Sequence, residues 1–155
     1  MRAWNMYSLK IAVIVLALVS PWVMIIVEGV EPSISTYFSS SIQPLCVVVN
    51  ATTSHFLFSM RRWRLPSIFL LLLTAFSVTN FPYFHNVLAI SFFISSAVSI
   101  SRSKQLSFFF YFYIASLFLF EFGMLWVEIH CVTVISIFHL CLLVKYKKLK
   151  DPQNK

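Results

Sequence analysis

Seven side chains able to do chemistry stand inside or at the ends of long apolar runs: His85, Glu121, Glu128 and His130 in one set, and Asn50, His55 and His139 in another. Polar and ionisable groups at membrane depth are costly, and they default to functional roles. Histidine with glutamate suits zinc, which takes three protein ligands and an open water position in catalytic sites. The same pair can move protons, and histidines alone can ligate haem. Each chemistry requires residues that share both a depth and a helix face.

His85 opens the fourth apolar run, while Glu128 and His130 open the sixth, so these residues match in depth. Glu128 and His130 are about 200° apart on a helical wheel, which keeps them from facing one ligand. There is no HExxH or comparable close pair, and no bound metal is expected. For haem, His130 and His139 lie nine residues apart, on opposite faces and ~13.5 Å apart along the axis. Two haems in one bundle would need both facing inward, so no cofactor is expected. The outer groups His85, Glu121, Glu128 and His130 stay candidates for an acid–base site; the bland reading is that headgroup-level water satisfies them. Glu128 and His139 are eleven residues apart, three helical turns, and share a face. With Asn50 and His55 they would form a polar path for protons or ions. The competing reading is interhelical hydrogen bonding, worth about 0.6 kcal/mol per contact. Cys46, Cys131 and Cys141 fall in apolar runs without a CxxC and read as small hydrophobes. Asn50-Ala51-Thr52 spells a glycosylation sequon inside a predicted span and is discounted. No nucleophile elbow, phosphate loop or DNA-reading motif occurs.

The elements that must position these residues follow from composition and charge. Of 155 residues, 59% are apolar and 11% charged, against about a quarter charged in soluble domains. Mean hydropathy is +0.85. This is the composition of a polytopic membrane protein. The net charge of +7 does not point to nucleic acid, because the basic residues cap apolar runs. The N-terminus resembles a signal peptide, but Pro21 and the apolar run to Val27 favour an uncleaved first span.

All twelve basic residues fall in four groups: Arg2 and Lys10; Arg61, Arg62 and Arg64; Arg102 and Lys104; and Lys145, Lys147, Lys148, Lys150 and Lys155. The intervals 11–60, 65–101 and 105–144 hold 50, 37 and 40 residues, each enough for two crossings of about 17–20 residues. The positive-inside rule then predicts an all-α protein of six transmembrane helices with both termini cytoplasmic. The expected spans are about 11–28, 37–60, 66–81, 84–101, 106–122 and 126–144, in one integral membrane domain with a basic, headgroup-facing tail at 145–155. Trp4 and Trp63 are expected at the inner boundary and Trp126 at the outer one. The outer segment 29–44 is long enough to cover the mouth of the bundle, whereas the other outer turns, near Pro82 and Gly123, are tight. Pro21 predicts a kink. Ser91, Ser95 and Ser99 recur every four residues, a small-residue face suited to close helix packing.

Ile34-Ser35 in the outer segment, then His85, Ala89 and Phe93 opening the fourth span, then Glu128 near the last, resemble the DRAM-like (damage-regulated autophagy modulator-like) membrane proteins and their bacterial six-span relatives. Thr36-Tyr37 stand where that pattern has an Asp and a Gly-containing turn, and Asn86 stands where it has an acidic residue. The resemblance implies a lipid-associated membrane function and carries no established chemistry. The leading expectation is a non-enzymatic integral membrane protein, a lipid-interacting or accessory subunit, with membrane lipids and other membrane subunits as partners. Two readings stay open beside it: an enzyme acting on a lipid or isoprenoid through the outer His/Glu layer, and a small proton or ion transporter. The lack of a targeting signal and the compact size favour a bacterial inner (cytoplasmic) membrane.

Overall fold

The computed structural model describes residues 5–104 and 106–150; Trp4 and the tail beyond Lys150 lie outside them. The described residues form helices and turns, with no strand among them. Six α-helices run in order: α1 (Asn5–Glu28), α2 (Gln43–Phe58), α3 (Arg64–Ala75), α4 (Pro82–Ser101), α5 (Phe108–Ala115) and α6 (Met124–Lys150). Short 3-10 segments occupy Ile34–Ser39, Arg61–Trp63 and Ser116–Phe122. Each α-helix packs on its chain neighbours and α1 also packs on α6, so the six close into a ring.

Among the described residues, Tyr7–Glu28, Pro82–Ser101 and Met124–Lys145 are long and apolar enough to cross a membrane. The remaining helices are shorter. At 1.5 Å per residue α2 extends about 24 Å and α3 about 18 Å, below the ~30 Å of a hydrocarbon core. The outward faces carry many large apolar side chains: Ile26 and Tyr83 are 82% and 83% exposed, and Phe118 is 81% exposed. A water-facing monomer rarely presents so much apolar surface, and an integral membrane protein does so by necessity.

Local chemistry explains most helix ends. Pro82 starts α4 and Pro44 lies in the first turn of α2, positions where a missing N–H costs nothing. Gly29, at φ +88°, follows the last residue of α1 and returns its N–H to the Ile25 carbonyl at 2.9 Å. Gly123, at φ +108°, makes the sharp turn from the 3-10 segment Ser116–Phe122 into α6. Within α1, Pro21 gives no N–H to the Ala17 carbonyl, and the Ser20 hydroxyl donates to that oxygen instead at 3.2 Å.

Several boundaries differ from expectation. The predicted second span began at 37, but residues 34–39 form a 3-10 segment outside α2, so the outer segment runs from Gly29 to Ile42. The third helix was expected to reach 81 and stops at Ala75, ahead of the Ser77–Asn80 turn and Pro82, which disfavours a helical Phe81. The fifth, expected at 106–122, turns to 3-10 geometry at Ser116, whose hydroxyl takes the Tyr113 carbonyl at 2.6 Å. The sixth helix continues beyond 144, through Lys150. Trp63 is 3% exposed, packed on Phe138 and His139 rather than facing headgroups. Trp126 and Trp22 pack together, with centroids 6.4 Å apart.

One end of the ring gathers the basic loops. Arg62 donates from Nη1 to the Arg102 carbonyl at 3.2 Å, and the Ser99 hydroxyl donates to the Arg62 carbonyl at 3.0 Å. Glu28 and Glu128 are bonded at the opposite end, to the Ser41 hydroxyl and the Ile34 N–H. α2 and α3 are clasped in the interior by Ser54 and Ser67. Each hydroxyl donates to the other residue's carbonyl at 2.8 Å, and both serines are buried.

Candidate functional site

The site forms where the outer segment lies across the mouth of the ring. Tyr37 is fully buried there; its hydroxyl donates to the Gly29 carbonyl at 2.6 Å and accepts the Glu31 N–H at 3.3 Å. Burial raises the pKa of this phenol above its ordinary value. The Leu125 N–H donates to the Pro32 carbonyl at 3.1 Å, and Ser39 bonds to Thr79 across the α3–α4 turn. Glu128 of α6, 7% exposed, accepts the Ile34 N–H on Oε2 at 2.5 Å.

His85, in the first turn of α4, is 2% exposed and bonded at both ring nitrogens. Nδ1 lies 2.6 Å from the Phe76 carbonyl and Nε2 lies 2.8 Å from the Ser35 hydroxyl. A carbonyl only accepts, so Nδ1 carries a proton, and in the neutral imidazole Nε2 is the ring's acceptor. Nε2 then accepts, and Ser35 is the donor. Phe76 offers its oxygen because α3 has just ended, leaving its last carbonyls without helical partners. The local break in the chain at 76–81 is therefore what orients the ring.

Below this cluster a cavity of about 490 Å³ descends between α4 and the α5–α6 pair. Such a volume falls in the ~300–1,000 Å³ range of ligand sites. Its polar end carries Ser33, Ser35, His85, Asn86 and Glu128; its wall is apolar, with Ala89, Phe93, Val127 and others. Ile90 and Ile94 of α4, and Leu117 and Phe120 opposite, line it while being more than half exposed. The cavity is thus a groove open sideways, on a face rich in exposed apolar side chains. Its deep wall includes Tyr113, Ser116 and Cys131, with the Ser116 hydroxyl and Cys131 Sγ 3.1 Å apart.

His85 and Glu128 come together at one end of this groove. Glu121 is exposed on the 3-10 segment Ser116–Phe122 and does not line it, and neither does His130, whose Nδ1 is buried without a partner. The inner polar residues occupy three separate environments. His55 is exposed on α2. Asn50 borders a cavity of about 70 Å³ with Ser20, Thr53 and Ser136. His139 is buried, its Nδ1 donating to the Ile135 carbonyl at 2.8 Å and its ring edge-on to Trp63 with centroids 4.3 Å apart. Among the described residues no three His, Cys, Asp or Glu side chains gather as a metal-ligand group. Cys46, Cys131 and Cys141 are free thiols.

On the serine face of α4, Ser95 and Ser99 are buried and Ser91 is partly so. Ser91 donates to the Val87 carbonyl and Ser95 to that of Phe92, within their own helix; Ser99 also reaches Arg62. The residue that sequence reasoning left without a chemical role is Ser35. It stands 50 positions from His85, and no spacing rule connects residues joined only by the closing of the ring. No protein-family model matches the chain, and neither a curated protein nor a solved structure is significantly similar to it.

Proposed function

We propose that this chain is a lipid-binding integral membrane protein that crosses the bilayer six times with both termini cytoplasmic. A lipid enters sideways through the groove between α4 and the α5–α6 pair. Its hydrocarbon chain lies along the apolar wall, and its head sits beneath the outer segment among Ser33, Ser35, His85, Asn86 and Glu128. The observation that carries this reading is the groove's polarity: apolar along its length, polar at one end, and open on an apolar face. A cavity for a water-soluble ligand would open to the outer mouth instead.

The topology draws support from the segregation of basic loops and bonded carboxyls to opposite ends of the ring. The short α2 and α3 fit a locally thinned bilayer or one whose edge residues complete the crossing. Photoactivatable phospholipid carrying its diazirine near the chain terminus, in proteoliposomes, is expected to crosslink to groove residues such as Ile94 and Leu117. Crosslinks scattered evenly over α1 and α3 would refute the groove. Single cysteines near Ser41 and Asn80 should react with an external membrane-impermeant maleimide, and cysteines near Arg62 and Lys104 should not; the reverse labelling would refute the orientation.

A further inference from the structure

The polar end of the groove has one arrangement that binding alone does not need. Ser35 is half-buried and lines the cavity, its hydroxyl donates to His85 Nε2 at 2.8 Å, and His85 Nδ1–H is fixed on the Phe76 carbonyl at 2.6 Å. A nucleophile hydrogen-bonded to a base, with the base oriented by a third group, is the general signature of an activated hydroxyl. The orienting group is a backbone carbonyl in place of a carboxylate, and it selects the tautomer that leaves Nε2 free to accept a proton. We propose that Ser35 is a nucleophile and His85 its general base, together transferring an acyl group from a lipid ester held in the groove.

The step balances within the residues present. Ser35 Oγ attacks the ester carbonyl carbon as His85 Nε2 takes the hydroxyl proton, and the carbonyl π pair moves onto oxygen. Asn86, next to His85 and lining the same end, supplies its side-chain amide N–H to that oxygen in this scheme. The intermediate collapses, the ester C–O bond breaks, and the departing alkoxide takes the proton from Nε2–H. This leaves Ser35 as an acyl ester. Water from the outer boundary, or a lipid hydroxyl, then attacks the acyl carbon while Nε2 takes its proton. On collapse the Ser35 oxygen leaves and recovers that proton, releasing a fatty acid or a new ester. Glu128 touches neither Ser35 nor the ring in this scheme. Its bond to Ile34 N–H, one residue before Ser35, makes it a positioning residue.

The inference rests on the lipid-binding reading of the groove, and its test separates the two. The full chain is reconstituted in nanodiscs of ether-linked phospholipid, so that the bilayer offers no ester. It is then treated with a long-chain alkyl fluorophosphonate, and modified peptides are located by mass spectrometry. The expected result is labelling at Ser35, absent in Ser35→Ala and slowed about 10²–10⁴-fold in His85→Gln, the range general-base catalysis contributes. A long-chain acyl ester of a fluorescent alcohol should release alcohol and fatty acid in equal amounts from the wild-type chain only. The wild-type reaction is itself the measurement, so a variant that fails to fold does not obscure the outcome. Lipid crosslinking in the groove without fluorophosphonate labelling would overturn the nucleophile and leave lipid binding standing. Labelling of Ser35 as fast by a short-chain as by a long-chain probe, with no crosslinking in the groove, would overturn the lipid ester as substrate.

Discussion

Replacing Glu128 by alanine tests how the outer segment is fastened. The Glu128 carboxyl oxygen accepts the Ile34 N–H at 2.5 Å, bridging α6 to a segment 94 residues earlier. Alanine removes the acceptor and leaves a partly buried amide unpaired, at a cost of about 1–3 kcal/mol. If that cost falls on local opening of the segment, the equilibrium for opening rises about 5- to 150-fold, since 1.4 kcal/mol is a factor of ten. Hydrogen exchange read by mass spectrometry, on a peptide covering 30–42 in a lipid nanodisc, measures this directly. The expected result is exchange faster by that factor in the segment, with peptides of α3 unchanged. Glu128→Gln keeps an oxygen acceptor and should fall between wild type and alanine. Exchange in 30–42 that is identical in wild type and Glu128→Ala would refute the claim that this bond holds the segment down. Equal acceleration throughout the chain would show that Glu128 supports the whole bundle instead.

Three further outcomes test other parts of the fold. Ser54→Ala and Ser67→Ala should each lower stability in a mild-detergent unfolding titration by about 0.6–1 kcal/mol. Because the two hydroxyls also lie 3.1 Å apart, a contact that either single variant removes, the double variant should cost less than the sum, and strict additivity would contradict that contact. Tyr37 has a raised pKa in the folded chain, so its contribution is intact below its unfolded pKa of about 10 and is lost as pH rises through the folded value. Exchange of the 30–42 segment should therefore show no Tyr37-dependent change up to about pH 9, and accelerate above pH 10 in wild type but not in Tyr37→Phe, once the intrinsic pH dependence of exchange is subtracted. Gly123→Ala meets no atom within 4 Å, so its cost is backbone strain alone, about 1–3 kcal/mol at φ +108° and ψ 158°; a neutral effect on thermal stability would contradict that turn.

Which features were legible in sequence depends on whether they are local. Apolar run length and the basic groups marked where the helices stand, and both are properties of neighbouring residues. Matching the depths of His85 and Glu128 required only the count of residues from each turn, and both do line one groove. Ser35 was different: its role exists only because the outer segment folds over α4, a contact with no periodicity behind it. The Ser54–Ser67 clasp was hidden for the same reason, since neither serine belongs to a small-residue pattern. The serine face of α4 was legible as a repeat, but the repeat could not tell hydroxyls bonded to their own helix from one that reaches Arg62. Trp63 was misplaced because amphipathic rings flanked by arginines usually face headgroups, whereas here the ring fills the space beside His139. Pro82 marked the turn after α3, but its restriction reaches back only to Phe81, so the end at Ala75 was not legible from it.

The fastenings of the outer segment also impose an order in time. Ile34 leaves the ribosome 94 residues before the glutamate that receives its N–H. At roughly 5–20 residues per second, about 5–20 seconds separate the two during synthesis. Ser39 and Ser35 likewise wait for Thr79 and His85. Until α6 is made, the segment has its contacts to Gly29, Thr79 and His85 but lacks the Glu128 acceptor for the Ile34 N–H and the Leu125 donor for the Pro32 carbonyl. The α6 fastenings are therefore the last of these to become available in the order of synthesis, and a chain truncated before α6 would lack both them and one wall of the groove.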